Sequence, residues 1–258
     1  MPGRARNSLV AVCLLLAAVG LLGYAFWARS RDQYTPRLLG PTHYERKAFH
    51  EEPRTQCESI ELLARTEGVR ALPTLLEKLQ STQDEVVAVT ARCLAQYGGK
   101  QAVQPLAAQL QRNSTIVKFA VVKALETIAD PAALSALKSQ VTPESPVASD
   151  AAWAIGRLKD PATGRIPREA EDALISYLNS PMPRVRMGAI LGLADGGTER
   201  ALQPLRQLAA DPLKGLDPDI LSRPAAEGRP PDPSILANPC GQAIRAIEQR
   251  LTKPGAAL

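Results

Sequence analysis

Apolar residues along this chain recur at intervals of three and four, stop at a polar turn, and then recur again. Leu72, Leu75, Leu76 and Leu79 share one helical face, and Val103, Leu106 and Leu110 share the next. That spacing sets a stripe along one side of a helix. The stretches ALPTLLEKLQ from Ala71, AVQPLAAQLQ from Ala102 and ALSALKSQV from Ala133 are successive copies, each 31 residues after the last. Polar turns follow them: STQDEV, RNSTIV and TPESPV. Second helices are then expected from Val86, Val117, Val147 and Val185, each with an apolar residue eight positions later, at Leu94, Leu125, Ile155 and Leu193. Ala91, Val122, Ala152 and Ile190 fall between them, on the face a neighbouring helix would cover.

Turn residues close the units in order: YGGK at Tyr97–Lys100, ADPA at Ala129–Ala132, KDPA at Lys159–Ala162 and DGGT at Asp195–Thr198. Glycine past a helix end and proline at a helix start are the expected stop and start signals. Thr82 and Glu85 have capping-box spacing, and Ser114 and Ser180 are expected N-caps. One helix pair leaves apolar surface on both sides, so units of this kind stay dry only by stacking. The pattern predicts an all-α solenoid of about five helix pairs over residues 51–258. Helices near Arg54–Leu63 and Cys240–Leu251 should close its two ends. Two insertions interrupt the period, at 163–171 and at 211–237, the second carrying six prolines.

Upstream the pattern changes. From Leu9 to Trp27 there are 19 residues without a charge, about 28 Å of helix at ~1.5 Å per residue. Arginines flank this stretch, and Tyr24, Phe26 and Trp27 cluster at one end as an interfacial belt would. The reading is a tail at 1–8, a single-pass transmembrane signal-anchor helix at 9–28 and a linker at 29–50. A cleavable signal peptide is the rival, but no small-x-small site follows. The repeat domain is expected on the extracytoplasmic (periplasmic) side, with the cytoplasmic side as the alternative.

Charge changes the picture little. The net charge is +5, but residues 1–37 hold five arginines against Asp32 alone, a net of +4. The rest keeps 26 basic and 25 acidic groups, a net of +1. A near-neutral domain releases few counterions from a phosphate backbone, so nucleic acid is not an expected partner. Cys13 lies in the apolar segment, and Cys57, Cys93 and Cys240 stand far apart in sequence on predicted helices, read as small hydrophobes.

The repeat resembles HEAT repeats of the short bacterial type, also found in phycobilin lyase subunits. SPMPRVRMGAILGLADGG from Ser180 and DPAALSAL from Asp130 carry the likeness, which covers about Ala71–Ala210. The arginine usual after the valine survives as Arg186 and, as lysine, Lys118; Val87 and Ala148 replace it elsewhere. The resemblance implies a right-handed α-solenoid whose second helices line a concave side.

No chemistry-bearing constellation emerges. His43 and His50 both fall in the linker, and the single His50-Glu51 pair cannot assemble the di-iron site that related hydroxylases build from several copies. No cofactor or metal is expected, and the chain is read as non-enzymatic. What remains is surface. Positions two and six after each valine should face away from the packing: Ala88 and Arg92, Phe119 and Lys123, Ser149 and Trp153, Met187 and Leu191. Phe119, Trp153, Met187 and Leu191 would form an apolar stripe beside Arg92 and Lys123, fit for a protein or peptide partner. The alternative is that the helices are rotated and these residues are core. The expected function is a scaffold for protein–protein interaction. An accessory subunit, or a lyase-like chaperone for a prosthetic group, is the second possibility.

Overall fold

The computed structural model describes residues 52–211 and 234–252, and among these every regular element is helical. The tail, the apolar segment 9–28, the linker with both histidines and residues 212–233 lie outside the described residues. No described helix is long and apolar enough to cross a membrane.

A lead helix, α1 (Pro53–Glu67), precedes five pairs. They are α2 (Leu72–Lys78) with α3 (Asp84–Tyr97), α4 (Val103–Gln109) with α5 (Thr115–Ile128), α6 (Leu134–Ser139) with α7 (Ala148–Arg157), α8 (Arg168–Tyr177) with α9 (Pro183–Gly196), and α10 (Leu202–Ala210) with α11 (Ser234–Thr252). The second helices pack in sequence, α1 on α3, α3 on α5 and so on to α11, while each first helix backs onto its own partner. This is a stack of antiparallel pairs, as the periodicity predicts. Val86, Val117, Val147 and Val185 are all buried, as are Leu94, Leu125, Ile155 and Leu193. Each buried aliphatic side chain contributes about 1.5–3 kcal/mol of transfer free energy, which short first helices of six to ten residues need.

The helix starts differ in detail from the pattern. Most first helices are entered through a short 3-10 turn, at Gly68–Ala71, Gly99–Ala102, Pro131–Ala133 and Glu199–Ala201. Asp130 caps the third by accepting from the Ala132 N–H, and Thr198 caps the fourth by accepting from Arg200 N–H. Thr82 is not a cap, because Gln83 holds that position. The serine before it acts instead: Ser81 Oγ accepts from Gln83 N–H at 3.1 Å, and Ser180 Oγ accepts from Met182 N–H at 3.2 Å. Both serines bond the N–H two residues on, and that residue, Gln83 or Met182, holds the N-cap position. Ser114 sits at the N-cap of α5 without a side-chain cap bond.

The insertions are also shorter than the pattern suggests. Helix α8 starts at Arg168, so 168–171 belong to it; Ala170, Ala173 and Leu174 bury its face, and alanines register weakly in a hydrophobic pattern. Helix α11 starts at Ser234, ahead of the predicted end of the second insertion at 237. Glu171 explains why the start of α8 is acidic. Buried at 2% exposure, its carboxylate accepts from Thr198 N–H at 2.6 Å, Thr198 Oγ at 2.8 Å and Arg200 at 3.3 Å. A buried charge so satisfied ties α8 to the turn that opens the next unit.

One seam differs from the others. A Cβ on Gly188 would stand 2.2 Å from the Ser149 carbonyl oxygen, and one on Gly196 would stand 2.2 Å from that of Gly156. A Cβ on Gly156 would meet Gly192 Cα at 2.2 Å. Helices α7 and α9 therefore touch backbone to backbone along Gly188, Gly192 and Gly196, a spacing of four that keeps all three on one side.

Candidate partner-binding face

The repeat register determines what the second helices show to solvent. Val86, Val117, Val147 and Val185 point inward, so positions two and six residues later point away. None of the eight residues at those positions is buried. Arg92, Phe119, Lys123 and Leu191 are exposed, and Ala88, Ser149, Trp153 and Met187 are partly exposed. The rotated, core alternative is excluded. Phe119 is 43% and Leu191 42% exposed, and Ile116, one turn before Phe119, is 59% exposed. These three are half of the large, exposed hydrophobic residues among the described residues.

Polar groups around the stripe close into a ring. Lys123 Nζ pairs with Glu126 at 2.8 Å, and Glu126 also receives Arg157 Nε at 3.1 Å. Arg157 reaches Asp195 at 3.5 Å. Asp195 Oδ2 accepts from the Trp153 indole N–H at 2.9 Å. The ring closes where Lys123 Nζ stands over the Trp153 ring, 5.1 Å from its centroid. Helices α5, α7 and α9 are linked by this circuit. Arg92 pairs with Glu61 of α1 at 3.2 Å and continues the polar row toward the first helix. Exposed ion pairs add little stability singly, but the circuit gives the partly exposed Trp153 a hydrogen-bond acceptor on α9 and a cation over its ring.

The rest of the described surface offers less. An open polar depression of about 430 Å³ lies at the α2–α3 turn, lined by Gln56, Glu77, Lys78, Gln80, Ser81, Thr82 and Gln83, with no nucleophile beside a base. No three His, Cys, Asp or Glu side chains converge as a metal cage would among the described residues. The thiols are subdued. Burial raises Cys93 to about 11 and Cys240 to about 11, and raises Cys57 as well. Cys57, on the adjacent helix α1, adds slightly to the burial-driven rise at Cys93 of α3, although the two stand 36 residues apart. Arg186, the arginine of the valine–arginine pair, is fully buried beside Cys240. Burial lowers its pKa, and Cys240 acts in the opposite sense.

Against known families, a model described as HEAT repeats matches residues 72–156 and 142–216, more than half the chain. The chain belongs to the HEAT-repeat family. Its first four pairs lie within the matched residues, and the valine register that exposes the stripe runs through them. No curated protein matches the chain. Among solved structures, the HEAT stack is similar to an engineered protein at 19% identity, covering 81% of this chain and 100% of that one, with a TM-score of 0.49. A designed armadillo repeat protein in complex with the peptide (KR)4 is similar at 18% identity, covering 79% and 98%, also with a TM-score of 0.49.

Of the residues the sequence singles out, none of Arg92, Phe119, Lys123, Trp153, Met187 and Leu191 is buried; Lys123 and Trp153 meet, whereas Arg92 pairs with Glu61 of α1. The sequence reading missed Glu126, Arg157 and Asp195, which complete the ring. Asp195 read as turn punctuation, and nothing local in the sequence distinguishes a carboxylate that pairs 42 residues away.

Proposed function

We propose that this HEAT-repeat protein is a non-catalytic scaffold whose second helices receive a segment of a partner protein. Phe119, Trp153, Met187 and Leu191 supply the apolar anchors, flanked by Arg92 and Lys123. One observation carries the reading: Phe119 and Leu191 stand exposed, and Trp153 and Met187 partly exposed, at positions two or six after the valine of three successive units, where a monomer would place polar ones. The ring around Trp153 supports it, since a pre-oriented aromatic loses little freedom on binding. Residues 9–28, apolar and flanked by arginines, would hold the scaffold to a membrane as a single-pass anchor. The stack then lies on the extracytoplasmic side, and the stripe lines the concave side of the solenoid.

Affinity capture with crosslinking from native membranes, followed by reconstitution with each purified candidate, tests the proposal. Phe119→Ala combined with Trp153→Ala should abolish reconstituted binding with far-ultraviolet circular dichroism nearly unchanged. Full binding by that variant would overturn it. Visible absorbance in the purified protein would instead favour a chaperone for a prosthetic group.

A further inference from the structure

The ion pairs on this face cancel one another. Three cations, Arg92, Lys123 and Arg157, meet three carboxylates, Glu61, Glu126 and Asp195, and each is held in at least one pair. Two of the carboxylates reach solvent about as far as their partners do. Arg92 and Glu61 are 63% and 53% exposed, and Arg157 and Asp195 are 45% and 40% exposed. These pairs also stand among the apolar groups, since Lys123, Trp153 and Leu191 each lie six residues after the valine of their helix. A charged newcomer would meet both signs at nearly equal range and still lose its own hydration. A neutral newcomer has no such hydration to lose.

Close backbone approach gathers the apolar groups. A Cβ on Gly188 would stand 2.2 Å from the Ser149 carbonyl oxygen, so α7 and α9 come nearer than the ~8–10 Å between axes that interleaved side chains impose. Trp153 of α7 therefore shares one patch with Met187 and Leu191 of α9, and it donates across the seam to Asp195. Ser149 is partly exposed. It stands at the level of Phe119 on α5 and Met187 on α9, one turn before Trp153. Its side chain is the smallest of the four, so the patch dips there. With Ile116, the apolar groups expose on the order of 300 Å², against roughly 800 Å² per partner in a standard interface between folded proteins. That area suits a short segment and is too little for a folded domain or a second copy of this chain.

Resting on the docking face proposed above, we infer that its occupant is a short uncharged segment of a partner protein, one bulky apolar side chain of which seats over Ser149 between Phe119, Trp153 and Met187.

The full-length chain in zwitterionic nanodiscs, with empty discs as the blank, is titrated with four short capped peptides carrying an uncharged fluorophore. One holds two leucines in a glutamine–serine frame. Two hold the same leucines in a glutamate or a lysine frame, and the fourth is the glutamine–serine frame without leucines. Binding is read by anisotropy at low and high salt. The neutral leucine peptide should bind at least ~10-fold more tightly than the leucine-free one. It should exceed either charged peptide by at least ~3-fold at low salt and change less than ~2-fold with salt. Ser149→Leu, which fills the dip, should weaken it at least ~10-fold, whereas Ser149→Ala should bind as the wild type does. Ser149→Gln, as long but polar, repeats the test should the leucine variant melt earlier. Equal or tighter binding of a charged peptide, lost on Phe119→Ala, overturns the uncharged class and leaves the docking face standing. Neutral binding lost on Phe119→Ala but unmoved by Ser149→Leu overturns the seat and also leaves the face standing. Equal binding of the leucine-free peptide overturns the inference. Binding by no peptide overturns both readings.

Discussion

Trp153 of α7 donates its indole N–H to Asp195 of α9 across 2.9 Å, joining two consecutive repeats through residues 42 positions apart. Asp195→Ala removes the acceptor and one corner of the polar ring. Because the pair is partly exposed, the expected loss of stability is about 0.5–1.5 kcal/mol. The larger effect should be on order: acrylamide quenching of Trp153, measured with Trp27→Phe as background, should rise clearly. Unchanged quenching would mean that the packing around the indole orients it without the hydrogen bond.

The α7–α9 seam makes a sharper prediction. Gly188→Ala puts a methyl 2.2 Å from the Ser149 carbonyl, where the facing atom is backbone and cannot turn aside. A cost of about 2–3 kcal/mol or more is expected, from overpacking. At Gly164 an added Cβ meets nothing within 4 Å, but φ is +64°. Gly164→Ala should therefore cost about 1 kcal/mol, from backbone strain alone. Urea unfolding of the two variants measures the difference, and reversal of their order would refute the close approach.

Ala129 ends α5 in the left-handed region, at φ 57° and ψ 25°, the one non-glycine residue with positive φ among the described residues. Its N–H still donates to Leu125 and its carbonyl accepts from Lys159 N–H at 2.8 Å. Ala129→Gly removes the strain and keeps both bonds. Stabilisation of about 0.5–1 kcal/mol is expected, read as a raised thermal midpoint.

Glu171→Ala leaves Thr198 and Arg200 without the carboxylate that gathers them. With the group buried, a loss of about 2–4 kcal/mol is expected. Glu171→Gln should recover part of it, since the amide oxygen still accepts from Thr198. Equal loss in both variants would show that the charge, and not the hydrogen bonds, matters there.

Alkaline pH supplies a linkage test. Cys93 and Cys240 are raised by burial to about 11, above their ordinary value of 9.0. The folded state favours the protonated thiol, so this contribution is fully present below pH ~9 and lost as pH rises toward ~11. The fall in thermal midpoint between pH 8.5 and 10.5 should be shallower in Cys93→Ala with Cys240→Ala than in the wild type. At pH 8 a thiol reagent should modify Cys57 well before Cys93 or Cys240, which react only on unfolding.

How much of this was legible in the sequence depends on the range of each interaction. The valines and the leucines eight residues later are separated by about two helical turns, so a linear pattern captures them and the architecture with them. The outward positions follow from the same register, which is why Phe119, Trp153, Met187 and Leu191 could be placed on one face. The ring could not be read. Glu126 with Arg157, and Trp153 with Asp195, belong to different repeats, and the second pair is also put out of the 31-residue period by the insertion in the loop between α7 and α8. The glycine seam was visible as spacing, Gly188, Gly192, Gly196, but glycine near a helix end also reads as a stop. Only the neighbouring α7 backbone distinguishes the two roles. Thr82 failed as a cap because Ser81, one residue earlier, reached the backbone first.

The backbone contact between α7 and α9 has a mechanical corollary. Helical stacks stretch and curl when interleaved side chains at each junction slide past one another by fractions of an ångström. Where glycine removes those side chains, nothing is left to slide, and the fourth and third units must travel as a single stiff block. Any springiness in the stack is therefore displaced to the junctions on either side, one of which carries Lys123, Glu126 and Arg157.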